Sequence, residues 1–429
     1  MSQFEVVRDP LWDNIRLEPE ALAVVDTPAV QRLRYVRQLG HAFLVYPGAT
    51  HTRFEHALGA YHLARRALAQ LEEVTGSAPV PTTDLRRLKL SALLHDIGHY
   101  PFSHALEEAG LPHHEELAAR HLQAGELAQQ LERLGAAPDT LLPLIQGRRQ
   151  AGGALAGLVS GSLDVDKLDY LSRDAQMCGV PYGVIDVDRL LASLTVVAGP
   201  DGAPALALHD KGLAALESLL FAKYQMYRNV YWHHAVRAAT VMFTRLVRVA
   251  LAGGRLRVDD IALATDEGLI YELQREDTTG LAHALRERRL AKRALDVPAT
   301  ELPADTAAWP ADDPDLRSRV EDRVAAELGL AEHELFLDFP AKPDMLALDL
   351  PLVKRDGTVT HLAGAAAAEH LGLPGVAAEL YRTARRLRVF VLRPVEVPRA
   401  GIVGLVMLPA GEIAARLADG KSLLRTARG

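Results

Sequence analysis

Two adjacent side chains that can bind a metal, His95 and Asp96, follow an apolar run of the chain. Residues 90–94 of that run predict a helix, which Gly98 would end. Because consecutive residues on a helix point about 100° apart, both side chains can reach one ion beside the helix end. Imidazole nitrogen and carboxylate oxygen together suit Zn, Fe, Mn or Ni. An unpaired charge after such an apolar run would be costly, so the pair predicts a metal site rather than a surface dipeptide.

Two further candidate ligands, His56 and Asp166, lie in segments that also predict helices. On pattern alone His56 is also consistent with a core or surface histidine, and the acidic segment 164–169 with a solvated face. Asp166, Tyr170 and Asp174 recur every four residues and share one helix face, which favours a functional surface. Two histidines and two carboxylates leave positions open on an octahedral ion, as a catalytic site requires.

Four segments of the chain carry a family pattern: QRLRYVRQLG at 31–40, YPGATHTRFEH at 46–56, HDIGHYPFSH at 95–104 and DVDKLDYLSRD at 164–174. Together they closely resemble the HD-domain deoxynucleoside triphosphate triphosphohydrolases, a group that includes the vertebrate SAM-and-HD-domain enzyme and bacterial relatives. The resemblance runs from about Phe4 to about Val236 and fades over the last third of the chain. It implies a metal-dependent, dGTPase-like enzyme that cleaves dNTP to deoxynucleoside and inorganic triphosphate. The implied cofactor is one divalent ion per active site (Mn, Fe, Ni, Zn or Mg) on His56, His95, Asp96 and Asp166.

The resemblance also implies residues for catalysis and substrate binding. The catalytic set, with His104 as the proton-transfer residue, is His99, His104, Glu107 and His114. The substrate set, from phosphates to sugar and base, is Arg53, Lys167, Gln38, Leu39, Tyr170, Asp174 and Tyr231. From their residue types alone, Arg53 and Lys167 are also consistent with surface cations, His114 with a polar helix start, and Tyr231 with a core aromatic. Glu107 stands where the vertebrate enzyme has Asp, and a carboxylate there can orient His104.

A second nucleotide site is implied by Asp26, Gln31 and Arg34, which match guanine-reading residues of an activating site in several relatives. Glu5 replaces the lysine that contacts the activator phosphates there, and a carboxylate beside polyphosphate is repulsive. We therefore expect weak or altered activation by a regulatory nucleotide. The resemblance further implies a homo-oligomer, with a tetramer built from dimers preferred.

Composition sets outer limits on the protein class. The 429 residues are enough for two or three domains. The net charge of −7 argues against a general nucleic-acid coat but leaves open a local basic pocket and hence a nucleic-acid partner. Cys178 is the only cysteine, so no intramolecular disulfide is available, which fits a reducing cytoplasm. With no signal pattern and no run of about 18 apolar residues, we expect a cytoplasmic protein without a membrane span.

The expected fold is mainly α: an HD-domain helical core with short β-hairpins, followed by a small α+β C-terminal domain. The expected division is an HD core over 1–250, a helical extension and Pro-rich linker over 251–314, and the C-terminal domain over 315–429. A short strand or a hairpin is predicted over 4–17, and a hairpin over 194–208 that turns at 199–202. The segment Pro298–Pro314 predicts an exposed linker. The predicted C-terminal strands are 335–339, 346–348 and 388–392, and the predicted helices there are 315–329 and 364–386.

Two other functions remain open at this point. One is a different HD phosphohydrolase activity, on nucleoside monophosphates, cyclic dinucleotides or a nucleic-acid end. The other is a nucleotide sensor or nucleic-acid-binding regulator that keeps the metal pocket without turnover. The intact set of Arg53, Lys167, His104 and Tyr170 favours the dNTP enzyme over both.

Overall fold

Helices make up most of the computed structural model, which describes residues 4–147, 155–199, 202, 204–303, 306–342, 345–363 and 367–424. The mainly α fold predicted from the sequence is therefore confirmed. The helices of the first half are Pro19–Val25, Pro28–Gln31, Arg53–Thr75, Thr82–Leu94, His114–Leu122, Gly125–Arg133, Pro138–Ile145, Val165–Cys178, Val187–Leu191 and Leu213–Met226. Those of the second half are His234–Ala252, Val258–Leu263, Asp266–Arg275, Leu281–Arg286, Trp309–Asp312, Pro314–Glu327, Gly372–Gly375, Ala377–Ala384, Arg399–Met407 and Ala410–Ala418.

The helix Arg53–Thr75 is the central element of the fold. It begins with a capping box, in which the backbone N–H of Thr52 donates to Glu55 Oε2 at 2.5 Å. It ends at Gly76, whose φ of 70° is left-handed and suits glycine. Leu63 and Leu71 on this helix are fully buried in a core that the helices Thr82–Leu94 and Val165–Cys178 also line. This packing places the ends of three helices close together.

Small sheets complete the fold of the described residues. The predicted hairpins are confirmed: Glu5–Asp9 pairs with Asp13–Leu17, and Leu194–Ala198 pairs with Pro204–His209, both antiparallel. Most of the second predicted turn lies outside the described residues. Pro204–His209 also pairs in parallel with Asp349–Val353. The full strand orders are Leu194–Ala198, Pro204–His209, Asp349–Val353, Val359–Ala363 in one sheet, and Lys292–Pro298, Arg386–Val391, Leu335–Asp338 in another.

Several C-terminal predictions need correction. The strand predicted at 346–348 lies at Asp349–Val353, and the predicted helix 364–386 is wrong at its end, where a strand begins at Arg386. The start of that helix lies outside the described residues. The strands Lys292–Pro298 and Val359–Ala363 were not predicted, because neither segment shows clear alternation. Lys292–Pro298 pairs with Arg386–Val391, which is distant in sequence, whereas Val359–Ala363 forms a hairpin with the nearby Asp349–Val353.

The prediction that Pro298–Pro314 is an exposed linker is wrong for Leu302 and Trp309. Trp309 and Leu302 are each only 4% exposed and pack in a core with the strand Arg386–Val391. Prolines and aspartates predicted solvation, but the apolar residues between them are buried by tertiary contacts. One sheet joins Pro204–His209 to Asp349–Val353 and so connects residues on both sides of the predicted boundaries at 250 and 314. The division into domains itself stays a prediction.

Among the described residues, none of the helices taken singly has both the length and the apolar composition of a membrane span. The helices Arg399–Met407 and Ala410–Ala418 meet the length and composition only as a pair, and the chain bends by 115° between them.

Candidate active site

Three elements of the fold bring the predicted metal ligands together. His56 lies in the helix Arg53–Thr75, His95 and Asp96 follow the helix Thr82–Leu94, and Asp166 lies in the first turn of Val165–Cys178. His56 Nε2 lies 3.1 Å from His95 Nε2, 3.0 Å from Asp166 Oδ1 and 3.5 Å from Asp96 Oδ2. His95 Nε2 lies 3.4 Å from Asp96 Oδ1. Ligands that sit side by side at about 2.1 Å from an ion are about 3 Å apart, so these separations fit one ion.

The hydrogen bonds of the two histidines test whether the residues fit a metal. His56 Nδ1 lies 2.7 Å from Asp169 Oδ2, and His95 Nδ1 lies 2.9 Å from the carbonyl oxygen of Ala92. Because each acceptor takes a proton from Nδ1, the neutral rings turn the lone pairs of both Nε2 atoms toward each other. Burial by itself lowers the pKa of His56, but hydrogen bonds with Asp166 and Asp169 outweigh burial and raise that pKa to about 10. The centre therefore attracts a positive charge, and its nitrogen and oxygen donors fit a divalent cation.

A buried ion network behind His56 was missed by the sequence reasoning. Asp169 accepts hydrogen bonds from Arg173 Nε at 2.9 Å and from Trp12 Nε1 at 2.5 Å, and Arg173 Nη1 donates to Asp9 Oδ2 at 2.9 Å. Asp169 and Arg173 are fully buried. Burial alone would raise the pKa of Asp169, but Arg173 and the bond with His56 outweigh it and lower the pKa. The only sequence signal was the four-residue spacing of Asp169 and Arg173.

The close approach of helix Val165–Cys178 to helix Arg53–Thr75 depends on Gly59. A Cβ atom at Gly59 would lie 1.8 Å from Asp169 Oδ1 and 2.6 Å from Arg173 Nη2. Any larger residue there would displace the carboxylate that orients His56. The glycine therefore belongs to the architecture of the site, although it carries no functional group.

Arg53, predicted to bind phosphate, is buried beside the metal ligands. Its Nη1 donates to Asp96 Oδ2, and its Nη2 donates to Ser103 Oγ at 2.9 Å. The pKa of the Asp96 carboxyl is opposed by burial but falls well below its usual range, chiefly because of the charges of Arg53 and His95. Arg53 therefore holds Asp96 ionised and contributes positive charge at the rim of the metal centre.

The predicted catalytic residues form one cluster on the other side of Asp96. Glu107 accepts hydrogen bonds from His104 Nδ1 at 2.9 Å and from His114 Nδ1 at 2.6 Å. The ring of His99 stacks on that of His114, with centroids 3.7 Å apart, and His99 Nε2 lies 3.2 Å from Asp96 Oδ1. Burial, and then the charges of Arg53 and His114, lowers the pKa of His99 well below its usual value. The side chain of His104 is 59% exposed, so its Nε2 can meet a ligand.

Lys167 and Lys223 lie near the predicted ligand Asp166, and Lys342 lies near Lys223; Lys223 and Lys342 were not predicted. Lys167 Nζ donates to Asp164 Oδ2 at 2.6 Å and to the carbonyl oxygen of Gly161 at 2.9 Å. Lys223 is buried in the apolar helix Leu213–Met226. Burial lowers the pKa of Lys223, and the nearby charges of Lys167 and Lys342 lower it further, to about 7. A lone lysine in an apolar helix was the available sequence signal for Lys223.

The predicted sugar and base residues meet around Asp174. Its Oδ2 accepts a hydrogen bond from the hydroxyl of Tyr231 at 2.7 Å, and its Oδ1 lies 2.8 Å from His51 Nε2. Tyr231 ends the π-helical turn Tyr227–Tyr231, a type of distortion that is frequent at functional sites. The ring of Tyr170 lies 6.4 Å from that of His56, which connects this group to the metal centre. His51 was not predicted.

Gln38 and Leu39 lie against the same region. The backbone N–H of Gln38 donates to the carbonyl oxygen of His51 at 3.0 Å, and Gln38 Oε1 is buried with no partner among the described residues. Leu39 packs with Ala49 and Val236. The structure thus brings the predicted catalytic and substrate residues together around the predicted metal ligands.

Comparison with known proteins identifies the family of this chain. A family model described as the HD domain matches residues 53–174, and one described as the HD associated region matches residues 185–368. An uncharacterized protein of Methanocaldococcus jannaschii is 30% identical over 361 residues, which cover 82% of this chain and 73% of that protein. The chain belongs to the HD-domain phosphohydrolase family. All the predicted metal and catalytic residues of this HD-domain protein lie in the segment matched by the HD domain model.

Other relatives match a smaller part of the HD-domain protein. An uncharacterized protein of Bacillus subtilis is 32% identical over 254 residues, and the human deoxynucleoside triphosphate triphosphohydrolase SAMHD1 is 29% identical over 279 residues. These matches cover 58% and 57% of this chain but only 57% and 44% of the relatives. The chain therefore spans about half the length of these curated relatives.

Solved structures share the fold of the HD-domain protein. A phosphohydrolase from Bacteroides thetaiotaomicron superposes with a TM-score of 0.70 at 23% identity, covering 91% of this chain and 100% of that one. A hypothetical protein from Aquifex aeolicus gives a TM-score of 0.66 at 26% identity, covering 90% and 96%.

The residues predicted for a second nucleotide site form a separate group in the HD-domain protein. Arg34 Nε donates to Gln31 Oε1 at 2.7 Å, and Gln31 Nε2 donates at 2.8 Å to the carbonyl oxygen of Val25, next to Asp26. The guanidinium of Arg34 lies 3.6 Å above the ring of Phe54. The structure brings these residues together at the surface, and no hydrogen bond among the described residues joins their side chains to the metal ligands.

Proposed function

We propose that this HD-domain protein is a metal-dependent, dGTPase-like dNTP triphosphohydrolase that releases a deoxynucleoside and inorganic triphosphate. The observation that carries the proposal is a group of three lysines beside a compact set of metal donors: buried Lys223, partly buried Lys167 and exposed Lys342. A triphosphate carries several negative charges, and converging ammonium groups next to a cation centre would neutralise them. The relationship to a dNTP triphosphohydrolase supports the same substrate class.

The divalent ion would be held by His56, His95, Asp96 and Asp166. When bound, such an ion polarises a phosphoryl oxygen and lowers the pKa of a bound water. The mixture of imidazole and carboxylate donors is compatible with Mn, Fe, Ni, Zn or Mg. Asp169 fixes the ring of His56 in the orientation and tautomer that this role requires.

Proton transfer to the leaving oxygen is assigned to His104. Glu107 is held ionised: burial opposes this state, but hydrogen bonds from His104 and His114 lower its pKa strongly. An ionised carboxylate can only accept, so His104 Nδ1 is the donor and Nε2 is the nitrogen left for the substrate. The exposed Nε2 side of the His104 ring, held through Nδ1 by Glu107, would pass the proton to the leaving oxygen.

Recognition of the deoxynucleoside is assigned to the group around Asp174. A carboxylate oxygen of Asp174 can accept a hydrogen bond from a sugar hydroxyl, and Tyr170 on the same helix face would leave little room for a 2′-hydroxyl. The unpartnered Oε1 of buried Gln38 supports a contact with a ligand donor. Tyr231, bonded to Asp174, would contact the base side of the nucleotide.

The family resemblance also suggests how the protein is regulated and how its subunits assemble. Asp26, Gln31 and Arg34 would form a second nucleotide site, and the homo-oligomer would be a tetramer of dimers. Glu5, which lies exposed on the strand Glu5–Asp9, would weaken binding of activator phosphates.

The test is product analysis of a dNTP panel incubated with Mn²⁺, Mg²⁺, Ni²⁺, Zn²⁺ or Fe²⁺, with single and mixed nucleotides. The proposal predicts deoxynucleoside and intact triphosphate, and no turnover by His95→Ala protein that has lost its metal. Release of monophosphate or phosphate would instead support another HD phosphohydrolase activity. Nucleotide binding without any product would support a regulator.

A further inference from the structure

The segment Tyr100–Gly110 carries His104 and Glu107 on an unusual backbone. Phe102 and Ser103, directly before His104, both have a φ of 57°. This left-handed conformation is unfavourable for residues other than glycine and persists only when the surroundings impose it. The position of His104 therefore depends on what holds this segment.

The beginning of the segment is held by Asp266. This buried carboxylate accepts the backbone N–H of Phe102 on Oδ1 at 2.9 Å and the backbone N–H of Arg37 on Oδ2 at 3.1 Å. The ring of His41 stacks on that of Phe102, with centroids 4.4 Å apart and planes 7° apart. Asp266 thus fixes the left-handed residue from outside the segment.

The end of the segment is held by arginines. Arg237 binds both carboxylate oxygens of Glu108, with Nη1 at 2.8 Å from Oε1 and Nη2 at 2.7 Å from Oε2. Arg317 Nη2 donates to the carbonyl oxygen of Glu108 at 3.0 Å, and Arg248 Nη1 donates to that of Ala109 at 2.9 Å. Paired bonds between a guanidinium and a carboxylate fix orientation as well as distance. Glu108 follows Glu107 directly. The hydrogen bonds of Arg237 to Glu108 therefore also fix the position of the Glu107 carboxylate, which lies between His104 and His114.

The same network reaches the other side of the site. Asp338 Oδ1 accepts from Arg237 Nε at 3.0 Å, and its Oδ2 accepts from Arg388 Nη1 at 3.3 Å. Arg388 Nη2 donates to the carbonyl oxygen of Trp232 at 3.0 Å, directly after Tyr231. The strand Leu335–Asp338 therefore connects the two turns that border the nucleotide site.

The residues that hold both ends of the segment share one property. Asp266, Arg237, Arg248 and Arg317 all lie outside residues 53–174 and inside residues 185–368, the HD associated region. We infer that this region positions the catalytic turn, and that Arg237 and Asp266 are positioning residues that act on His104 through Glu107 and Phe102. The inference rests on the proposed function for the role of His104.

The decisive variants are Arg237→Lys, which keeps the charge but loses the paired bonds, and Glu108→Gln, which removes one charge on a partly exposed side chain. Arg245→Lys is the matched control. Arg245 lies on the same helix as Arg237, is equally buried at 5% exposure, and pairs with Asp322 of the helix Pro314–Glu327. It makes no hydrogen bond to Tyr100–Gly110 among the described residues.

We expect Arg237→Lys and Glu108→Gln to lower kcat roughly tenfold to a hundredfold, because small displacements of a catalytic group have effects of that size. KM should stay within about threefold, since no substrate contact is removed. The pH profile of kcat should shift for these variants, and the Cε1–Hε1 NMR signals of His104 and His114 should move. Bound metal should stay at the wild-type level, and Arg245→Lys should lose a similar amount of thermal stability with kcat and both signals unchanged.

Equal losses of kcat in Arg237→Lys and Arg245→Lys, or unchanged His104 and His114 signals in both test variants, would overturn the inference. The NMR signals do not depend on the substrate. A wild-type protein that hydrolyses no dNTP would therefore refute the proposed function, while the signals would still decide whether Arg237 positions His104.

Discussion

Asp169→Asn should weaken metal binding, because Asp169 orients the predicted ligand His56. Comparison with a control substitution in the same ion network separates this effect from a loss of stability. The side chain is fully buried and accepts hydrogen bonds from His56 at 2.7 Å, from Arg173 at 2.9 and 3.0 Å, and from Trp12. The amide has nearly the same shape but no charge, and its nitrogen end can no longer accept the bonds it faces. Partners that orient a metal-ligating histidine typically contribute 10- to 100-fold to metal affinity, which is about 1.4–2.8 kcal/mol.

The same change uncovers a buried charge. Arg173 keeps Asp9 but loses Asp169, and breaking a buried ion pair costs about 3–5 kcal/mol. For a 429-residue chain that unfolds as one unit, an unfolding entropy of about 2.1 cal/mol/K per residue gives about 0.9 kcal/mol/K. The melting temperature should therefore fall by about 3–6 °C.

Asp9→Asn is the matched control, because Asp9 binds the same arginine on the side away from His56. Titration with Mn²⁺ followed by EPR, and with Co²⁺ followed by absorption, measures the affinity directly. We expect 10- to 100-fold weaker binding for Asp169→Asn and nearly wild-type binding for Asp9→Asn, with similar losses in melting temperature. If Asp169→Asn binds both metals as tightly as the wild type, then Asp169 does not orient a metal-ligating His56 and the reasoning fails.

Three further predictions use other parts of the site. Because the folded pKa of Lys223 is lowered to about 7, the free energy of unfolding of the wild type should fall as the pH falls from 10.5 to 7. Lys223→Met should remove this pH dependence, measured by chemical denaturation at pH 7 and 9.5, and an equal pH dependence in the two proteins would contradict the prediction. Tyr170→Ala should narrow the preference for dATP over ATP, which we expect to be about 10- to 200-fold in kcat/KM for the wild type; equal wild-type rates on the two would exclude a sugar-reading role. Glu5→Lys should strengthen GTP binding at the second nucleotide site by about 1–3 kcal/mol before screening, and dNTP hydrolysis should then be stimulated at lower GTP concentrations. Strong wild-type stimulation at micromolar GTP that the substitution leaves unchanged would show that Glu5 does not face the activator phosphates.

The sequence by itself determined the helical class and the identities of the candidate metal residues. His95 and Asp96 are predicted locally as candidate metal ligands, because an unpaired charge at the end of an apolar helix would be costly. The hairpin strands Glu5–Asp9 and Asp13–Leu17 were equally local, since their pairing needs only a short turn. Periodicity and turn chemistry act over a few residues, so a single sequence displays them directly.

Only the tertiary structure decided what surrounds those residues. The sequence left Asp169 consistent with a solvated acidic segment. In the structure Asp169 is buried and hydrogen-bonded to His56, Arg173 and Trp12. Lys223 became part of the site only when its helix was packed near Lys167. The clamp of Arg237 on Glu108 joins residues 129 positions apart, and the parallel pairing of Leu208 with Leu352 joins segments even more distant in the chain. Burial and charge pairing depend on which segments meet in space, and no local pattern in the chain encodes that meeting.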